Sequence, residues 1–235
     1  NVAGLAGGGI SLQDAANASI IHNTIANNDS TATAGAAFTP GVPNLSNPQP
    51  AGIVSRAHSP ALLATGIASD FSDPLFVNNI VWHNRSFHWF SDDNLDPPFG
   101  LAPPPATPDY WDLGVLGTPV FAELSPQFSV LTTLTGPDGG NYTGANNQIS
   151  DPLFVTGYVN ESRPGVVLPE VTTIEAAPAF DEGGNFIDVR FGPLGLIDPD
   201  TGLLYGDYHL DDGSPAVGAA TNGLTRILDI QPTEL

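Results

Sequence analysis

Residues 23–30 read NTIANNDS and residues 79–86 read NIVWHNRS, and this pair of segments decides the fold. Both have Asn at the first and sixth positions, an aliphatic residue at the third and Ser at the eighth. Short apolar runs bounded by Asn, Gly, Asp and Pro are typical of β-strands separated by turns. Upstream of each segment lies a related strand pattern, GISL at residues 9–12 and GIVS at residues 52–55. Such spaced repetition predicts a solenoid, in which each repeat stacks on the next.

The Asn residues of this pattern are expected at the corners between strands. Asn tolerates the left-handed backbone conformation that tight corners need, and stacked Asn side chains can hydrogen-bond to one another along the solenoid axis. We therefore interpret four Asn residues as structural: Asn23, Asn28, Asn79 and Asn84. The alternative interpretation is that pairs of Asn contact carbohydrate at the surface.

The predicted fold is all-β, a right-handed parallel β-helix with a long insertion and a closing C-terminal segment. Residues 1–90 are expected to form β-helix rungs, with a loop at 31–50 that is small, polar and Pro-bearing. Residues 91–147 are rich in Pro, and we expect an irregular insertion that packs on the solenoid through its aromatic and aliphatic residues. Residues 148–235 are expected to form the terminal rungs and a cap.

Three motifs, taken in order, carry a family resemblance. The sequence SDPLFV occurs at residues 72–77 and again at residues 150–155. With NNIVWHN at 78–84, DPLF at 151–154 and GDYHLDDGSPAVGA at 206–219, the chain resembles the last rungs of bacterial right-handed parallel β-helix repeat proteins. The resemblance implies a large secreted or cell-surface protein, with this region near the end of its helix. It carries over no catalytic residue, because that family shares a rung architecture rather than an active site.

The charge of the chain restricts its partners. It has 25 acidic residues against five Arg and no Lys, for a formal net charge of −20. Binding to a phosphate backbone or to anionic lipid requires cations, so we expect no nucleic-acid partner and no membrane insertion. The cofactor to consider is Ca²⁺, although acidity by itself also keeps an extracellular surface soluble. Because Cys is absent, disulfides, a thiol nucleophile and Cys-ligated zinc are excluded.

The chain contains no Met, and its first residue is Asn1. We therefore expect it to be part of a longer polypeptide. The remainder of that polypeptide, N-terminal to Asn1, is the expected partner, stacked against the first rung because a solenoid end otherwise exposes unpaired strand edges. Together with the family resemblance, this predicts a secreted, extracellular or cell-surface location in a bacterium.

Two kinds of ligand contact are suggested by residue type. Aromatic rings can stack on sugar rings, and the candidates for this contact are Trp82, Trp89 and Trp111. For Ca²⁺, Asp198 and Asp200 place carboxylates two residues apart ahead of a Gly, as many calcium loops begin. The Glu that completes an EF-hand is missing, and a simple turn joining two strands is the alternative interpretation of this segment.

The catalytic motifs of β-helix polysaccharide enzymes are incomplete in this chain. Pectin-type hydrolases of this fold carry N-T-D, an Asp pair, G-H-G and R-I-K. Here Asn-Thr is followed by Ile25, Arg-Ile is followed by Leu228, and G-H-G does not occur. Lyases of this fold combine calcium-binding carboxylates with Arg or Lys, and the chain has no Lys and five scattered Arg.

We therefore expect a non-catalytic structural or adhesive module of a large extracellular bacterial protein. It would contact carbohydrate or join an assembly with other surface proteins. The alternative is a polysaccharide lyase or glycoside hydrolase of the β-helix class whose active site lies largely outside these residues.

Overall fold

The fold is all-β, and it is described here from a computed structural model of the chain. The described residues are 1–95, 98–104, 107–118, 122–137, 142, 144–157, 202 and 206–223, with the backbone alone at 185 and 186. Helix in this part of the chain is limited to α1 (Pro60–Leu63) and a 3-10 turn at Gly35–Ala37. Within these ranges, no helix has the length and apolar character needed to cross a membrane.

The strands are short. In chain order they are β1 (Val2–Ala3), β2 (Ile10–Leu12), β3 (Ser19–Ile21), β4 (Thr24–Ala26), β5 (Asp29–Ser30), β6 (Ile53–Arg56), β7 (Leu75–Val77), β8 (Ile80–Trp82), β9 (Arg85–Ser86), β10 (His88–Ser91), β11 (Phe99–Ala102), β12 (Asp109–Tyr110), β13 (Leu113–Leu116), β14 (Val130–Leu131), β15 (Phe154–Thr156), β16 (Asn185–Phe186) and β17 (Asp207–Leu210).

Most strands pair in parallel with a counterpart from another repeat. Sheet A contains β2, β6 and β13, sheet B contains β3 and β7, and sheet C contains β4, β8 and β14. Sheet D contains β1, β5 and β9, with β12 and β16 as antiparallel edges. The chain visits sheets A, B and C in the same order in residues 10–30, 53–86 and 113–131, which we call repeats 1, 2 and 3. In repeat 3, Gln127 continues sheet B through a parallel bridge to Val77.

The strand registers place apolar side chains directly above one another. The stacks are Ile10–Ile53–Leu113 in sheet A, Ile20–Phe76 in sheet B and Ile25–Val81–Leu131 in sheet C. Most of these side chains belong to one buried core cluster, with Ile10 packed against it. Each buried aliphatic side chain contributes about 1.5–3 kcal/mol. The repeats are therefore held together by a continuous core that runs across the sheets.

Two glycines lie where the opposite wall of the core leaves no room for a side chain. Gly9 and Gly52 occupy the same register position, immediately before β2 and β6. A Cβ added at Gly9 would lie 2.6 Å from Cγ2 of Ile25 and 3.1 Å from Nδ2 of Asn28. A Cβ added at Gly52 would lie 2.9 Å from Nδ2 of Asn84. The GI pairs of the sequence pattern thus mark a close approach to the Asn corners.

Repeat 3 lies inside the range 91–147, for which the sequence predicts an irregular insertion. The structure instead places β13 and β14 in the parallel sheets. The pattern is hard to read there because Asp112 takes the register position of Gly52, and Ser129 takes that of Asn79. The antiparallel hairpin of β10 and β11 lies between repeats 2 and 3, outside the parallel sheets.

The two copies of SDPLFV have different structures. In the first copy, Leu75–Val77 forms β7 and pairs in parallel with β3. In the second copy, Leu153 has a left-handed backbone (φ 51°) and the following strand β15 pairs antiparallel with β17. A literal sequence repeat therefore does not indicate equivalent strands here.

A C-terminal segment, residues 206–223, lies against the repeats. The side chain of Asn27 donates to the hydroxyl of Tyr208 (3.3 Å), and Oδ1 of Asn78 accepts from the backbone N–H of Thr221 (2.8 Å). Side-chain contacts at the corners of repeats 1 and 2 thus fasten this segment along sheet C.

We predict that Gly52→Ala lowers the free energy of unfolding by about 2–3 kcal/mol, because the new methyl group would overlap the Asp112 carbonyl oxygen and press on Asn84. Gly35→Ala is the matched control, since nothing lies within 4 Å of a Cβ at that position. The control should leave stability unchanged or raise it by up to about 1 kcal/mol. Urea denaturation measures both, and equal stabilities for the two variants would contradict the close approach.

Candidate functional site

Ladder 1 is a row of side-chain hydrogen bonds through Asn23, Asn79, Ser129 and Asn147. Oδ1 of Asn79 accepts from the backbone N–H (2.9 Å) and from Nδ2 (3.2 Å) of Asn23. Oγ of Ser129 accepts from the backbone N–H of Asn79 at 3.1 Å. Oδ1 of Asn147 accepts from the backbone N–H of Ser129 at 3.1 Å. Each residue therefore binds the N–H of its counterpart in the preceding turn of the chain.

Ladder 2 runs through Asn1, Asn28, Asn84 and Asp112, and it has the same geometry. The amino nitrogen of Asn1 donates to Oδ1 of Asn28 at 3.2 Å. Oδ1 of Asn84 accepts from the backbone N–H (3.1 Å) and Nδ2 (2.9 Å) of Asn28. Oδ1 of Asp112 accepts the same two groups of Asn84, at 3.2 and 2.8 Å. Asn1 and Asp112 were not recognised from the sequence pattern.

The amides of both ladders have further partners. Nδ2 of Asn23, Asn28 and Asn79 each donates to the carbonyl oxygen two residues earlier in the chain. Asn79 and Asn84 are buried, and a buried amide without partners costs about 1–3 kcal/mol. The full set of bonds removes this cost and fixes the strand register, since a shift by one residue would break every bond at once.

The left-handed backbone expected at Asn23, Asn28, Asn79 and Asn84 belongs instead to the residue before each of them. Those residues are His22, Asn27, Asn78 and His83, with φ of 57°, 53°, 57° and 52°. The expectation of a positive φ at the four Asn residues was therefore wrong. The preceding residue makes the bend, which leaves the ladder residue free to direct its side chain at the next repeat.

Asp112 ends ladder 2 as a fully buried carboxyl group. Besides the two Asn84 bonds on Oδ1, its Oδ2 accepts from the backbone N–H of Thr132 at 2.8 Å. Burial raises the pKa of Asp112 to about 6, although the bonds from Asn84 and Thr132 act in the opposite direction. Asp112 holds the register position of Gly52 directly ahead of repeat 3, and its carboxyl group bonds to Asn84 of repeat 2.

A buried ion pair lies one residue beyond ladder 2. Asp29 and Arg85 face each other in sheet D, and Nε and Nη2 of Arg85 donate to Oδ1 and Oδ2 of Asp29, both at 2.7 Å. Two hydrogen bonds make this a strong form of ion pair. Because both side chains are buried, removing either one would leave the other charge uncompensated. A sequence signal was present, since the aligned segments NTIANNDS and NIVWHNRS have Asp and Arg at the same position.

The three candidate Trp residues do not form one platform. Trp82 and Trp111 are 8% and 9% exposed, so neither offers a ring face for a sugar, and this expectation was wrong for both. The ring of Trp82 stacks on His83 at 4.5 Å, and His83 stacks on Tyr110 at 4.4 Å. The ring of Trp82, expected at the surface, is therefore buried and stacked in a row with His83 and Tyr110.

Trp89 is the exception, because it is half-buried and lies on the hairpin of β10 and β11. Its ring stacks on Phe99, with 5.7 Å between centroids and an interplanar angle of 25°. Phe99 is 57% exposed. Beside this pair, the exposed carboxylate of Asp92 accepts from the backbone and side chain of Asn94. We call Trp89 and Phe99 the hairpin aromatic pair.

Metal-binding clusters are absent from the described residues, in which no three His, Cys, Asp or Glu side chains come together. The calcium candidates Asp198 and Asp200 lie outside the described residues. Of the carboxyl groups that the structure describes, Asp29 and Asp112 are the buried ones. Both oxygens of Asp29 bond to Arg85 of repeat 2. Oδ1 of Asp112 bonds to Asn84 of repeat 2, and its Oδ2 bonds to Thr132 at the end of repeat 3.

Comparisons of the chain with protein-family models, with curated proteins and with solved structures found no match. The interpretation of the site therefore rests on its own geometry.

We predict that Asp112→Asn removes one pH-dependent contribution to stability. The folded protein holds the Asp112 proton up to about pH 6, whereas the unfolded chain releases it near the ordinary aspartate pKa of 3.8. The contribution of this group is therefore fully present below pH 3.8 and is lost as the pH rises to about 6. The stability of the wild type relative to Asp112→Asn should fall over this window by on the order of 2–3 kcal/mol.

Urea denaturation followed by Trp fluorescence at a series of pH values measures this difference. Asp93→Asn is the control, because Asp93 is exposed and this variant should track the wild type across the window. A wild-type to Asp112→Asn difference that stays constant or grows as the pH rises would contradict a buried carboxyl group with a raised pKa.

Proposed function

We propose that the chain is part of a right-handed parallel β-helix and serves as a non-catalytic structural and adhesive module of a large extracellular bacterial protein. Its partners are the rest of its polypeptide and, at the surface, other surface proteins or polysaccharide. The observation that carries the proposal is that both buried carboxylates of the described residues hold one repeat to the next. A β-helix enzyme would direct such carboxylates into a substrate groove, whereas here they are part of the scaffold.

The β-helix interpretation is supported by the order and direction of the strands. Sheets A and C each take one parallel strand from every repeat, and sheet B takes parallel pairings from every repeat. Parallel neighbours that are joined by long connections require the chain to travel around the core and return on the same side. Stacked aliphatic residues and stacked Asn at equivalent positions are what such a path produces.

An extracellular location is supported by the charge distribution. Exposed acidic residues outnumber basic ones, and a net charge of −20 keeps a long, edge-bearing protein dispersed. The structure needs no disulfide, because the core and the ladders run continuously from one repeat to the next. This combination suits a stiff module in a surface protein better than a domain that binds nucleic acid.

Carbohydrate contact is assigned to the hairpin aromatic pair. The half-buried Trp89 ring stacks on Phe99, which is exposed and presents an apolar face, and Asp92 and Asn94 add polar groups beside it. The net charge of the chain would repel an anionic polymer, so the ligand class that fits is a neutral polysaccharide. The hairpin lies between repeats 2 and 3 in the chain, and its strand β10 is held by antiparallel hydrogen bonds to residues 44–46.

We predict that the protein releases neither reducing ends nor unsaturated products from a panel of neutral and acidic polysaccharides, with or without Ca²⁺. We also expect retention on at least one neutral polysaccharide in affinity electrophoresis. Trp89→Ala should weaken retention about fivefold or more, since an aromatic contact is worth about 1 kcal/mol.

Val217→Ala is the control for surface changes, because Val217 is 65% exposed and lies away from the hairpin in sequence. It should retain wild-type binding, and Trp89→Phe should restore most of what Trp89→Ala loses. Product formation from any polysaccharide would favour the lyase or hydrolase alternative. Equal retention of Trp89→Ala and the wild type would remove the hairpin aromatic pair as the contact site.

A further inference from the structure

Asn1 occupies a ladder position that belongs to a repeat ahead of repeat 1. Val2 pairs with Asp29, and Asp29 pairs with Arg85, all in parallel, so Asn1, Asn28 and Asn84 share one register position. The Asn1 nitrogen donates to Asn28 just as the Asn28 nitrogen donates to Asn84. β1 is therefore the counterpart of β5 and β9 in the preceding turn of the chain.

The strand that should lead into β1, a counterpart of β4, is not among the described strands. On one side of β4, the carbonyl of Asn23 and the N–H of Asn27 bond to β8. Because successive residues of a parallel strand alternate between its two neighbours, Thr24 and Ala26 direct their N–H groups to the other side. Within the described part of the chain, these two N–H groups have no hydrogen-bond partner.

A cavity of about 210 Å³ lies at the same edge. Its lining is mixed and consists of Asn1, Gly9, Thr24, Ile25, Ala26, Asn28 and Tyr208. It lies next to Ile25, at the open end of the Ile25–Val81–Leu131 stack, and it is large enough for an aliphatic side chain. The edge of β4 thus offers unpaired N–H groups and, beside Ile25, room for one more side chain.

The connection from sheet C to sheet D is short in both complete repeats. Residues 27–28 join β4 to β5, and residues 83–84 join β8 to β9. A strand that lies on β4 in the same direction would therefore run directly into Asn1 and need no loop. A strand from a second copy would bring another net charge of −20 to this edge, which disfavours it.

We propose that the open edge of β4 receives a parallel strand of the same polypeptide, placed directly ahead of Asn1, whose aliphatic side chain three positions before Asn1 fills the cavity beside Ile25. This inference rests on the proposed β-helix and deepens it, because it assigns the partner, the strand direction and the register. The strand extends ladder 1 by one Asn and the sheet C stack by one aliphatic residue.

The test is an extended chain in which HNTIAN, a copy of residues 22–27, is fused ahead of Asn1. The matched control carries the same extension with its isoleucine replaced by aspartate, which keeps the length and the backbone but places a charge in the cavity. Amide hydrogen exchange of Thr24 and Ala26 is measured in the extended, control and original chains, together with the thermal unfolding midpoint.

We expect exchange at Thr24 and Ala26 to slow at least about tenfold in the extended chain, since these amides become part of a sheet, and the unfolding midpoint to rise. The control should exchange like the original chain. Unchanged exchange in the extended chain overturns the proposal, and so does protection of both amides in the original monomer. Protection that appears only in a concentration-dependent dimer of the original chain assigns the edge to a second copy and likewise overturns it.

The polysaccharide assays are run on the same proteins to separate the two proposals. Product release would overturn the scaffold function whatever the exchange rates are. If the amides of Thr24 and Ala26 stay unprotected in the extended chain and no product is released, only the strand assignment would be overturned.

Discussion

The structure depends on one constraint, which is that polar groups turned inward at the corners must be fully hydrogen-bonded. An Asn side chain meets this constraint because its oxygen accepts from the repeat before it while its own groups donate to the repeat after it. The row is therefore directional, and its last member accepts from the row without donating to a further member. Ladder 2 ends in this way on Asp112, whose oxygens take the N–H groups of Asn84 and of Thr132.

This constraint explains features that would otherwise look unrelated. Gly52 lacks a side chain because Asn84 fills the space opposite it, and in repeat 3 the Asp112 side chain enters the ladder from the same register position. His83 and Asn27 take the left-handed conformation so that the next residue can face inward. The Asp29–Arg85 pair follows directly, where a charge must be matched by its neighbour in the next repeat because water is excluded.

Repeats 1 and 2 could be predicted from sequence because the same residue types recur at the same spacing. Repeat 3 could not, since Ser129 replaces Asn in ladder 1, and Asp112 supplies the acceptor of ladder 2 from a register position where repeats 1 and 2 have Gly. The burial of Trp82 and Trp111 could not be predicted from the sequence either, because it depends on which loops and rings cover them and not on the strand pattern. The pairing of Asp29 with Arg85 could have been predicted from the aligned segments, because residues at the same position of two stacked repeats are neighbours in the sheet.

The negative charge of the chain affects what can pair with the open edge of β4, because charge repulsion acts at longer range than strand pairing does. Repulsion between two molecules with a net charge of −20 acts over about a Debye length, before strand edges can meet. The strand proposed ahead of Asn1 would not meet this barrier to the same degree, because it would be tethered beside the edge and its bonds would be short-range and neutral. In the proposed β-helix, an acidic surface would therefore permit the repeats to continue along their own chain while it discourages pairing with other chains, which is the hazard that exposed β-edges carry. In the proposed function, the net charge serves the scaffold in this way.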